Sequence, residues 1–125
     1  MKIITTLLIG IFCLSIFAVH ADENHEIIEK VMKEGLKGDD SPLAKVLDGK
    51  ASKKETKDLA KLTATMKGTK APAGDQGDYD KLVEELIAAM NAVAEGETST
   101  DALDRLDNAS NCKACHSDHK PKKKK

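Results

Sequence analysis

The sequence predicts an all-α protein, an antiparallel four-helix bundle, on three observations. Apolar residues recur at 3.6-residue spacing in four segments, each of these stops at a glycine or a proline, and no stretch shows the alternation of a half-buried strand. The connections are short, so neighbouring helices are expected to run antiparallel.

The first helix is expected over residues 24–37. Ile27, Ile28, Val31, Met32 and Leu36 form its apolar stripe and Gly38 ends it. Ser41-Pro42 is an N-cap followed by proline at the first helical position, which opens a short turn burying Leu43, Val46 and Leu47 before Gly49. Ser52 and Glu55 have capping-box spacing and start the second long helix, with Leu59, Leu62, Thr63 and Met66 on its inner face and Gly68 as its stop. Residues 68–78 contain Pro72, Gly74 and Gly77, a connection between two halves. Asp78 is expected to cap the third helix, whose stripe is Leu82, Leu86, Ala89, Met90 and Val93, up to Gly96. The fourth is capped by Thr98, Ser99 or Thr100 and carries Ala102, Leu106, Ala109, Cys112, Cys115 and His116 on one face, with Pro121 preventing continuation.

Residues 1–21 have the pattern of a secretory signal peptide. Lys2 supplies the charge, residues 3–19 the apolar run, and Val19-His20-Ala21 a small-residue cleavage site, so that the processed chain starts at Asp22. The run is interrupted by Thr5, Thr6, Gly10 and Ser15 and is short for a membrane span, an uncleaved anchor being the alternative. Cys13, preceded by bulky Phe12, is not read as a lipidation site. Cleavage leaves one domain over residues 22–119, in which Tyr79 is the sole Phe, Tyr or Trp. Without Phe or Trp such a core is short of flat apolar bulk.

Charge divides the chain. Residues 22–119 hold 14 basic against 21 acidic groups, a net of −7, whereas Lys120 and Lys122 to Lys125 make residues 120–125 a basic tail. Blocks of like charge are solvated as a rule; the functional alternative is weak docking to an acidic partner or membrane surface. An exported acidic domain does not fit nucleic-acid binding.

Cys112-Lys113-Ala114-Cys115-His116 is the most informative stretch. Cys-x-x-Cys-His is the attachment sequence of a c-type haem: two thiols add to the two vinyl groups on one porphyrin edge, and the adjacent imidazole becomes the proximal iron ligand. On a helix, positions 112, 115 and 116 share a face. A redox dithiol, a structural disulfide and a zinc site completed by His116 and His119 are the alternatives. A dithiol is best activated at a helix N-terminus, and here the motif is expected near a helix end; zinc ligands come as two separated pairs, and these four crowd into residues 112–119. The expected cofactor is one covalent haem c, with Ala102 and Ala109 leaving room for a flat macrocycle. Export agrees, because covalent haem attachment in bacteria is completed outside the cytoplasm, which points to the periplasm.

The chain resembles the class II cytochromes c, comprising cytochrome c′ and its low-spin relatives. Four helices after a signal peptide, the motif near the C-terminus, and Lys120 four residues beyond His116 carry the resemblance. In that family an aromatic residue and then Arg or Lys follow the motif; here His119 holds the aromatic position. The processed chain is shorter than the usual member. Low-spin forms place a Met on the first helix as sixth ligand, which the resemblance assigns to Met32; the alternative is a flexible core filler, as Met commonly is. Met66 and Met90 are read as core residues, His25 as an exposed residue at a helix start, and His119 as lying on the same side as His116.

With His116 and Met32 as the two axial ligands, and Cys112, Cys115, His116 and Met32 as the haem-binding residues, the expected function is single-electron transfer between redox partner proteins. A chain without Met32 ligation would instead be a five-coordinate haem protein binding nitric oxide or carbon monoxide. No enzyme is expected, since no distal acid–base pattern is visible. Homodimers are common among the relatives, and no membrane span remains after cleavage.

Overall fold

The computed structural model describes residues 20–120, with side chains from Glu23 onward. The signal segment expected over residues 1–21 lies outside the described residues, apart from the backbone of His20 and Ala21, as do residues 121–125 of the basic tail. Among the described residues the protein is all-α. It has six α-helices, one π-helical turn and no strand.

Helix α1 (His20–Val31) continues into the π turn Met32–Leu36, closed by Lys37 N–H donating to the Met32 carbonyl at 2.8 Å. The segment expected as one regular helix is therefore helical throughout but wound wider at its end. Gly35 lies within it. It is buried in the turn, and a Cβ there would stand 3.0 Å from Leu59 Cδ1 and from Leu62 Cδ2. The backbone itself is pressed against the neighbouring helix.

The caps follow the side-chain chemistry of the sequence. Ser41 Oγ accepts from Ala44 N–H at 3.1 Å and opens α2 (Pro42–Leu47). Ser52 and Glu55 form the reciprocal capping box of α3 (Lys53–Ala64), with Ser52 N–H donating to Glu55 Oε2 at 2.7 Å and Glu55 N–H to Ser52 Oγ at 3.1 Å. Helix α4 (Gln76–Ala94) starts three residues before its expected position, because Asp75 rather than Asp78 is the cap: Asp78 N–H donates to Asp75 Oδ1 at 2.9 Å. Ser99 caps α5 (Thr100–Ala109), and α6 (Cys112–His119) follows as a separate helix.

Helix α3 packs on α4 and α4 on α5, while the π turn rests against α2 and α3, and α6 lies on α4. Helix α4 is thus central, and it buries Tyr79, Val83, Leu86, Ala89, Met90 and Val93 along its length. Val31, Leu59 and Leu106 meet it from the other helices. Each of these larger side chains contributes about 1.5–3 kcal/mol by leaving water.

The close approach at Gly35 generates a prediction. Gly35→Ala forces Leu59 and Leu62 to give way inside a packed layer, an overpacking cost of about 1–3 kcal/mol, offset in part by the roughly 0.5–1 kcal/mol that alanine gains over glycine in a helix. The denaturation midpoint of the variant should fall accordingly. An unchanged midpoint would show that the two leucines step aside freely and that the contact does not constrain the helix pair.

Candidate functional site

The Cys112–His116 motif does not end a long helix, as its stripe suggests, but begins a short one. Ser110 N–H still donates to the Leu106 carbonyl at 2.9 Å, and Ser110 Oγ donates to the Asp107 carbonyl at 3.1 Å, closing α5. Asn111 then leaves helical geometry, with ψ near 115°, and its Oδ1 accepts from Lys113 N–H at 3.0 Å. Polar side chains competing with the backbone break the helix at this pair. Cys112 is consequently the first residue of α6.

On α6, Cys112 and His116 are exposed, Cys115 is half-buried and His119 is buried. The three motif residues border a cavity of about 290 Å³. Its walls come from Met32 and Leu36 of the π turn, from Met66 after α3, and from Leu82, Val83 and Leu86 of α4. Cys112, Cys115, His116 and Met32, all four residues expected at the site, therefore share one predominantly apolar space. A second cavity, of about 460 Å³, shares Met32, Met66, Cys115 and His116 with the first and extends toward Tyr79, His119 and Lys120. Volumes of this size suit a small organic group.

Met66 was expected only in the core. It is buried, and it also lines both cavities. His25 borders the second cavity but stays exposed and lies 3.7 Å from Glu29. Met90 is fully buried on α4 and borders neither cavity.

His119 is the residue whose role the sequence concealed. It is 4 % exposed, its Nδ1 lies 2.8 Å from the Ala73 carbonyl, and its ring meets Tyr79 edge-on at 5.5 Å. A carbonyl only accepts, so Nδ1 carries the proton. Tyr79 and Thr69 hydroxyl oxygens are 2.7 Å apart, and Thr69 Oγ1 donates to the Met66 carbonyl at 2.6 Å. With its one proton given to Met66, Thr69 receives the Tyr79 proton. Burial pushes the Tyr79 hydroxyl above the usual tyrosine range, the Thr69 hydrogen bond opposing this.

The thiols are both free. Burial pushes the Cys115 thiol up, and nearby Cys112 adds to the effect. The position of the motif at a helix start no longer argues against a redox dithiol, in which Cys112, exposed at the first helical position, would be the attacking thiol and the half-buried Cys115 its partner. His119 turns toward Ala73, and among the described residues no group of three or more His, Cys, Asp or Glu side chains is arranged to hold a metal ion, which disfavours the zinc arrangement.

No protein-family model, curated protein or solved structure matches this chain.

Proposed function

We propose that the chain is an exported class II-type c cytochrome, an antiparallel four-helix bundle that encloses one covalent haem c and carries single electrons between redox partner proteins. The observation that carries this reading is the Cys-x-x-Cys-His motif on α6, set beside an apolar cavity that Met32 also lines. The segments of the proposed bundle would be α1 with its π turn, α3, α4, and the separate helices α5 and α6 taken together. Domain limits at residues 22–119, the periplasm and cleavage after Ala21 belong to the same proposal.

The residues fit such a group. Two thiols three positions apart on one helical face match two attachment points on one edge of a flat macrocycle, and the cavity supplies aliphatic walls for its faces. Bound haem supplies a one-electron iron couple. Cys112 and Cys115 would hold the group by thioether bonds, and His116 and Met32 would offer an imidazole and a thioether to its iron. Leu36, Met66, Val83 and Leu86 exclude water and keep the surroundings apolar, which together with thioether ligation favours a high potential. The walls of the first cavity hold no carboxylate or guanidinium, Lys37 being the charged residue there, and the second adds Glu29 and His25.

Two predictions test the reading. Acid–acetone extraction of the processed protein should leave its colour with the polypeptide, and Cys112→Ala with Cys115→Ala should release it. Haem appearing in the organic phase from the parent would overturn covalent attachment.

Met32→Leu separates electron transfer from gas binding. The substitution nearly conserves volume, so the packing cost stays below about 1.5 kcal/mol. The iron should turn high-spin, lose its long-wavelength sulfur-to-iron charge-transfer band, fall in reduction potential and gain rapid carbon monoxide binding. Parent and variant sharing a high-spin spectrum and rapid gas binding would instead make Met32 a wall residue and the protein a gas-binding haem protein.

A further inference from the structure

Helix α6 carries every motif residue and has little else to hold it. It is eight residues long, and His119 is its one buried residue. His119 stands one turn beyond His116 on the same helix, so whatever fixes the rotation of its ring fixes the rotation of His116 and Cys115 about the helix axis. Three contacts do so. The Ala73 carbonyl accepts the Nδ1 proton at 2.8 Å, Tyr79 of α4 meets the ring edge-on, and the backbone at Gly74 closes over it. Gly74 has φ +76°, and a Cβ there would lie 2.7 Å from the Asp118 carbonyl oxygen and 2.9 Å from His119 Nδ1. The connection before α4 can therefore lie against α6 only because residue 74 has no side chain. The same contacts run on through Tyr79 and Thr69 to the carbonyl of Met66, a residue that lines both cavities with His116.

From this juxtaposition we infer that His119 is the positioning residue of the motif: its hydrogen bond to Ala73 sets the orientation in which α6 presents His116 and Cys115 to the cavity. The inference rests on the haem reading above. It also assigns His119 a fixed tautomer and a buried structural partner, which leaves His116 as the imidazole of α6 free to serve the cavity. A phenylalanine at 119 would keep the edge contact with Tyr79 but strand the Ala73 carbonyl. An asparagine would restore a donor near the place of Nδ1 while giving up the ring.

The test compares haem-loaded parent, His119→Phe, His119→Asn and Gly74→Ala, with Val93→Ala as a control for stability alone, since Val93 is buried but lines neither cavity. Electron paramagnetic resonance of the ferric proteins reads ligand orientation at the iron, and thermal denaturation reads stability. His119→Phe and Gly74→Ala should replace the parent's single set of g values by a shifted or second set, His119→Asn should keep the parent's set despite a lower midpoint, and Val93→Ala should lower the midpoint with the g values unmoved. Parent-like g values in His119→Phe, or equal shifts in His119→Phe and His119→Asn, would overturn the inference. So would a shift in Val93→Ala as large as that in His119→Phe. If His119→Phe fails to accumulate, Gly74→Ala and His119→Asn decide by the same criteria. A parent chain without covalent haem overturns the functional reading itself, and the inference with it.

Discussion

A helix of eight residues does not hold its shape in water, because the cost of nucleating it is spread over too few hydrogen bonds. Everything that Cys112, Cys115 and His116 can do together therefore depends on what pins α6 to the rest of the protein. The pin is the buried His119 ring between Ala73 and Tyr79. A buried hydrogen bond contributes about 0.5–1.5 kcal/mol and an edge-on ring pair about as much again. Those values are small against the core, yet they act at one end of one turn of helix, where orientation rather than total stability is decided.

The core supports this arrangement by what it lacks. Helix α4 buries its inner face against α3 and α5 with aliphatic side chains and one tyrosine, and Tyr79 is spent on the contact with His119 and Thr69. Near α6 the walls are Leu, Val and Met, flexible enough to follow the outline of a flat group. The polar network and the cavities meet at α6: Leu36, Val83 and Leu86 wall the first cavity, while Tyr79 and His119 reach the second, which shares Cys115 and His116 with it.

Local chemistry made much of the fold legible. Ser41, Ser52 with Glu55, and Ser99 cap by bonds to residues three positions on, so their signals are complete within a few residues of sequence. The expected cap at Asp78 lies one turn late, since Asp75 is an equally able carboxylate and takes the role, with the Gln76 side chain bonded to the Thr69 carbonyl and to Ala71 N–H. The break between α5 and α6 falls at Ser110-Asn111, inside an apolar stripe that by itself reads as one continuous helix. The wide turn at Met32–Leu36 and the burial of His119 were not legible. The turn packs Gly35 against leucines of α3 and the His119 ring meets a carbonyl 46 residues away, contacts that leave no periodic trace. At the site, the motif announced its own chemistry, whereas the sharing of a cavity by Met32 and the motif required the packing of the π turn, α4 and α6.

The π turn has a consequence for how this helix tolerates changes in length. A turn closed from residue i to i+5 holds one residue more than a turn closed from i to i+4. Met32–Leu36 is in effect a stored insertion, kept between a regular helix that ends at Val31 and a connection that begins at Lys37. Loss of one residue such as Glu34 can be absorbed by letting the turn tighten to α-geometry, leaving the frame of α1 and the Ser41 cap in place. In lineage terms, the end of the first helix is a place where the chain can gain or lose a residue while its neighbours keep their register.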